Sequence, residues 1–199
     1  MHLQEEGAIR NLGVTNFDAK HLAGLLEQDA PIVSNQVSFS VLDTRPTRKM
    51  VPVCQQHGVQ LLCYGALLGG FLSATWLGRR EPSINSLTNI SLRKYLPWIY
   101  DWGGWELFQE LLTALQTVGN KHGVSLSAVA LRWVLDQPTV AGVIVGARLG
   151  YTQHSADNQQ VFTFSLDEDD FAMIESVQRR STSLFGRFGD CGGEYRRRS

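Results

Sequence analysis

The chain has 199 residues, 43% hydrophobic and 19% charged, which suits one globular domain with a proper core and excludes a disordered chain. A formal net charge of -1 gives no electrostatic reason to expect nucleic acid or an anionic membrane as partner. Cys54, Cys63 and Cys191 are odd in number and widely spaced; they fit no disulfide framework and no zinc pattern, so reduced thiols in the cytoplasm are expected.

The start, from Met1 to Glu6, is polar and acidic, unlike a secretory signal. Ile9 to Val14 reads as a strand ending at Thr15-Asn16. Asp18 then caps a helix with Leu22, Leu25 and Leu26 on one face. Ile32 to Val37 is the second strand. A second helix opens at Pro46 and ends at His57-Gly58, where glycine accepts a left-handed conformation. Val59 to Tyr64 is the third strand, apolar enough to be covered on both faces. The apolar run from Leu61 to Leu72 falls short of the roughly 20 residues of a membrane span. From Gly65 to about Gly104 glycine pairs, prolines and aromatics suggest a long functional loop.

Trp105 to Val118 carries a clear apolar helical stripe. Ser125 caps another helix, and Val140 to Val145 is the fourth strand. A short helix is expected around Thr152 to Gln160, and a last one opens near Leu166 with four acidic residues in its first turn. The chain reads as a single domain over residues 1–199, with 181–199 as a flexible tail. Strand-helix alternation predicts an α/β architecture with parallel strands. Four strands serve an open sheet; closing a (β/α)8 barrel takes eight.

In parallel α/β folds, function gathers beyond the carboxyl ends of the strands. That level here holds Thr15-Asn16-Phe17, Gln36-Val37-Ser38, Tyr64-Gly65-Ala66-Leu67 and Gly146-Ala147-Arg148. Amide side chains match the donors and acceptors of a carboxamide. A tyrosine ring stacks on a flat heterocycle. A glycine turn with an arginine before a helix suits phosphate. Taken singly, Asn16 reads as a turn residue, Gln36 as an interior amide, Tyr64 as a core ring and Arg148 as a surface charge. Their recurrence at successive strand ends favours a shared role.

The order and wording of these segments resemble the aldo-keto reductase family. Gly7 to Phe17 (GAIRNLGVTNF) is similar to the stretch at the family's fifth strand, and Ser34 to Ser40 (SNQVSFS) to its sixth. Tyr64 to Leu72 (YGALLGGFL) is similar to the seventh. Leu131 to Leu135 (LRWVL) is similar to a helix, and Ile144 to Arg148 (IVGAR) with Asn158 to the eighth strand. The resemblance runs from Gly7 to about Ile174. It implies a TIM-type (β/α)8 barrel of which this chain covers about the last four βα units. It also implies an oxidoreductase that reduces a small-molecule aldehyde or ketone with NADP, NAD remaining open.

Carried over by position, Asn16 and Gln36 hold the nicotinamide carboxamide, with Thr15 where the family has serine. Tyr64 stacks on the nicotinamide, and Leu67 lies along the pyrophosphate. Gly146, Ala147 and Arg148 meet the adenosine phosphate, and Asn158 lies near the adenine. Gly65-Ala66 replaces the family's Ser-Pro, removing one hydroxyl, and Val145 replaces a proline. The family's catalytic Asp, Tyr, Lys and His belong to the first four strand ends, so no residue here is expected to be catalytic. Lys20, Lys49, Lys94 and Lys121 are read as solvated and away from strand ends.

Three readings follow: the cofactor-binding part of a reductase, a non-catalytic nucleotide-binding or protein-docking module, and an inactive fragment. A truncated barrel bares strand edges, so a complementary half-barrel or self-association is the expected partner. The aromatic residues between Trp76 and Trp105 are expected to line a substrate pocket or to pack on the missing half.

Overall fold

Four strands lie side by side in chain order, all parallel, in a computed structural model that describes residues 2–146 and 155–196. They are β1 (Leu12–Thr15), β2 (Ile32–Ser38), β3 (Gln60–Tyr64) and β4 (Val140–Ile144). The helices are α1 (His2–Glu5), α2 (Ala19–Leu26), α3 (Pro46–His57), α4 (Ile90–Trp102), α5 (Gly104–His122), α6 (Leu126–Leu135), α7 (Ser155–Gln159), α8 (Glu168–Gln178) and α9 (Phe185–Phe188).

Strand register sorts the side chains into two faces. Asn35, Val37, Leu61 and Cys63 are buried on the face covered by helices. Thr15, Gln36, Leu62 and Ile144 alternate onto the opposite face, where Thr15 and Ile144 are exposed and the other two half-buried. The apolar run of β3 is therefore covered on one face, not two. All three cysteines are free and buried; burial pushes the Cys54 and Cys63 thiols up to about 12, so they stay protonated and inert.

The predicted caps are present. Asp18 accepts from His21 N at 2.8 Å, and Ser125 Oγ accepts from Ala128 N at 3.1 Å. Gly58 ends α3 at φ 69°. The first strand begins three residues later than its apolar run, after the short helix α1.

The long segment from Gly65 is not a loop throughout. Short 3-10 turns lead into α4, which Asn89 caps by accepting from Ser91 N at 2.9 Å. Pro97 lies inside α4 and hid it from sequence reading, since an interior proline costs a helix about 3 kcal/mol. The helix forms because it buries Tyr95, Leu96, Trp98, Ile99 and Trp102. Each buried apolar side chain of this kind contributes about 1.5–3 kcal/mol. Trp98, Trp102 and Trp105 thus belong to this chain's own core rather than to a pocket or a partner. Residues 181–196, read as a flexible tail, fold back on the sheet through α9 and a final 3-10 turn, with Leu184 and Cys191 buried.

At the start of α8, Asp167 and Asp170 form a reciprocal capping box. Asp170 is 2% exposed and also accepts from Lys121 Nζ at 2.8 Å, with His122 Nε2 at 2.7 Å. Burial alone would raise its pKa; the bonds from Lys121 and His122 outweigh it and hold the carboxyl at about 2. A carboxyl depressed by folding adds stability above its unfolded pKa of about 3.9, which is lost as pH falls towards the folded value. Asp170→Asn is expected to lower the unfolding free energy by about 1–3 kcal/mol at pH 7. Urea titrations at a series of pH values check this: the gap between the two proteins should close between about pH 4 and pH 2. A gap unchanged by acid would remove the charged state of Asp170 from the explanation.

Candidate functional site

The carboxyl ends of the strands carry the predicted residues in the predicted order. Thr15 pairs with Gln36, Ser38 with Tyr64, and Tyr64 with Ile144. Asn16 turns the chain off β1 at φ 58°, a conformation asparagine tolerates better than most residues. Its amide N–H donates to the Gln36 carbonyl at 2.8 Å, and its Oδ1 accepts from the Tyr64 hydroxyl at 2.7 Å. Asn35, next in sequence to Gln36, points the other way and donates to the Phe17 carbonyl at 3.0 Å. The two adjacent amides thus divide between support and site, as strand alternation requires.

From Tyr64 a groove of about 720 Å³ runs along the ends of β3 and β4. Tyr64, Leu67, Gly146 and Asn158 line it, with Asp157 at the Asn158 end. Ala147, Arg148 and His154 lie outside the described residues. Gly65 has φ +71°, and a Cβ there would collide with the Tyr95 hydroxyl. A side chain at Gly69, at φ +65°, would meet the Ser91 backbone. Both glycines thus let the turn after β3 pack closely on α4, while Tyr64, Leu67, Trp76, Tyr95 and Ile144 supply the larger side chains of the wall.

The surroundings of Tyr64 are crowded by residues that sequence reading missed. Arg45 is 1% exposed; its Nε and Nη2 donate to both carboxylate oxygens of Asp43 at 2.7 and 2.8 Å, and its Nη1 donates to Glu194 Oε2 at 2.8 Å. The guanidinium also rests 5.3 Å from the Trp98 ring centre and 5.4 Å from that of Phe188. Burial opposes the charge on Arg45, but the bonds to Asp43 and Glu194 raise its pKa well beyond the ordinary range. Burial likewise opposes the charge on Glu194, and Arg45 overcomes it, holding that carboxyl low.

Glu194 Oε1 lies 3.2 Å from the Tyr64 hydroxyl and shares its one proton with the nearer Asn16 Oδ1. Burial, with Tyr195 and Glu194 beside it, raises the Tyr64 phenol far above its usual range, so it remains a proton donor. Lys94, expected away from strand ends, donates to the Tyr195 hydroxyl at 2.7 Å and sits 5.8 Å from the Tyr64 ring centre. Of these, Arg45 stands just before the Pro46 that opens α3, Lys94 sits in the unrecognised helix α4, and Glu194 lies in the segment read as a tail.

A one-directional parallel sheet backed by helices, with a groove at its carboxyl edge, defines a βα-repeat protein. A model of the aldo/keto reductase family matches residues 1–179. The chain belongs to the aldo-keto reductase family, and its fold is that of about the last four βα units of a (β/α)8 barrel.

Among relatives it is 33% identical to flagellar radial spoke protein 5 of Chlamydomonas reinhardtii over 136 residues, covering 67% of this chain and 26% of that protein. It is 24% identical to chloroplastic pyridoxal reductase of Arabidopsis thaliana, covering 91% and 47%. The structure of glycerol dehydrogenase AKR11B4 from Gluconobacter oxydans superposes at a TM-score of 0.70, with 23% identity over 95% of this chain and 53% of that one. The holo form of aldo-keto reductase AKR11C1 from Bacillus halodurans gives 0.66, with 26% identity over 88% and 52%. The chain spans about half or less of the length of these proteins. Among the described residues no helix is long and apolar enough to cross a membrane.

Proposed function

We infer that this chain supplies the part of an oxidoreductase that holds a nicotinamide dinucleotide, NADP in the first instance, against which a small aldehyde or ketone is reduced. The observation that carries the reading is the groove from Tyr64 to Asn158 at the strand ends of an aldo-keto reductase fold. Nicotinamide, when bound, supplies the hydride. This chain's residues bind and orient: Thr15, Asn16 and Gln36 at the carboxamide, Tyr64 at the ring and Leu67 beside the pyrophosphate. Gly146, Ala147 and Arg148 serve the adenosine phosphate and Asn158 the adenine. The general acid comes from the family's other strand ends. The free outer edges of β1 and β4, each paired on one side only among the described residues, support a complementary half-barrel or a second copy as partner. Three free, buried thiols support a reducing compartment such as the cytoplasm.

Titration with NADPH, NADH and adenosine 2′,5′-bisphosphate tests the reading. Arg148→Ala is expected to weaken NADPH and the bisphosphate alike by roughly tenfold or more, the loss of a charged hydrogen bond. Gln36→Ala is expected to weaken NADPH by roughly fivefold and to spare the bisphosphate. Equal losses for both ligands in the Gln36 variant would remove the carboxamide assignment. A second reading, a docking module without turnover, is favoured by the 33% identity to a radial spoke protein. Retention of a partner protein by a variant that has lost nucleotide binding would support it.

A further inference from the structure

The segment from Leu184 to Arg196 ties itself to the residues assigned to the nicotinamide. Glu194 takes the Tyr64 hydroxyl on one oxygen and the Arg45 guanidinium on the other. Arg196 donates to the Asn16 carbonyl at 3.1 Å and also pairs with Asp18. Asp190 Oδ2 accepts from Ala19 N, at the first turn of α2, at 3.0 Å. Gly192, at φ +74°, presses so closely on the Asn16 carbonyl that a Cβ would overlap it. Asn16 is thus used on its side-chain oxygen by Tyr64 and on its backbone oxygen by the returning segment.

The Leu67-to-Asn158 side of the groove touches none of these contacts. The segment meets the groove at Tyr64, which lines it. Lifting the segment breaks the buried Glu194–Arg45 pair and uncovers Leu184 and Cys191, so the closed state is the dominant one in the free protein. Gly186, Gly189, Gly192 and Gly193 give the backbone several points at which to swing. Gly189, at φ 77° and ψ -154°, occupies a region reserved for glycine.

We propose that Leu184–Arg196 is an autoinhibitory strap: its Glu194 carboxylate holds the Tyr64 hydroxyl, its Gly192 backbone and Arg196 hold Asn16, and a dinucleotide seats fully on these two residues only when the strap lifts. The proposal rests on the dinucleotide reading above. It differs in its consequence, because adenosine phosphates bind whether the strap is down or up, whereas a whole dinucleotide competes with it. A closed state that dominates the free protein lowers the apparent affinity for dinucleotide by the fraction of open molecules.

The test uses the full chain and two variants, Glu194→Gln, which leaves Arg45 with Asp43, and Gly192→Ala, which forces the backbone off Asn16. Both are expected to bind NADPH about tenfold more tightly than the parent, with adenosine 2′,5′-bisphosphate changed by less than about twofold. A measurement free of substitutions accompanies it: amide hydrogen exchange in residues 184–196 of the parent should speed up on saturation with NADPH and not with the bisphosphate. Equal NADPH affinity in all three proteins, with exchange in the strap unchanged at saturation, overturns the strap and leaves the dinucleotide reading standing. Binding of the bisphosphate but not of NADPH, even in the variants, overturns the nicotinamide end and the strap together. Failure of both ligands in all three proteins overturns the dinucleotide reading itself, and the strap with it.

Discussion

Arg45→Met is expected to lower the unfolding free energy by about 3–5 kcal/mol at neutral pH, because it strands buried carboxylates without their cation. Asp43 is fully buried and the Glu194 side chain is 4% exposed. In the parent protein Glu194 is held below its ordinary pKa. Its contribution is therefore present above about pH 4.3 and fades as pH falls through the folded value. In the variant the Glu194 carboxylate, buried without its cation, binds a proton more readily folded than unfolded, so acid stabilises the folded state. The two stability curves should lie furthest apart near neutrality and converge towards pH 4. Glu194→Gln leaves Arg45 both bonds to Asp43 and is expected to cost about 1–3 kcal/mol. Urea unfolding of the three proteins at pH 7 and pH 4.5 gives the comparison. An Arg45→Met protein no less stable than Glu194→Gln at pH 7 would show the triad to be weakly coupled to the fold.

Phe71→Ala is expected to cost about 3–5 kcal/mol by opening a cavity at a fully buried position. Phe71 stands at the centre of an aromatic cluster, with ring centres 4.9 Å from Trp76, 6.0 Å from Trp105 and 6.1 Å from Phe108. Aromatic pairs of this kind contribute about 0.5–1.5 kcal/mol beyond their buried area. Trp76 lines the groove, so its loss of support links the core to the site. Near-UV circular dichroism should lose intensity in the tryptophan region well below the unfolding transition. Phe71→Leu, which keeps much of the volume, should cost about 1–2 kcal/mol. Equal stability of the alanine and parent proteins would mean that neighbouring rings collapse into the space.

Strand existence was legible because each run is short, apolar and bounded by turn residues, and the caps Asp18, Gly58 and Ser125 were legible because their geometry is local. The candidate residues Asn16, Gln36 and Tyr64 could be placed at or near strand ends for the same reason, and the register sets Gln36 beside Thr15 and Tyr64 beside Ser38. Helix α4 was hidden by Pro97, whose local penalty is outweighed by burial of five side chains that only the tertiary structure reveals. The Arg45–Glu194 contact joins residues 149 apart in sequence, and no local pattern announces such a partner. A glycine-rich, basic ending carries the composition of a loose tail. Its order comes from Leu184, Cys191 and charged ties supplied by distant elements.

The sheet's order, each strand beside its predecessor, also governs how the molecule comes together. β1, β2 and β3 close short circuits through single helices, whereas the chain leaves at Tyr64 and returns at Val140 only after α4, α5 and α6. Each doubling of a closed circuit adds only about 0.6 kcal/mol of entropy cost. The delay therefore comes less from the length than from the three helices that must be packed before β4 has a place to dock. The first three strands are thus expected to form the nucleus, with β4 joining late. The groove needs both β3 and β4, so it exists only near the end of folding. A nucleotide held there should slow unfolding and leave the folding rate almost untouched, since it grips a feature the transition state has not yet built.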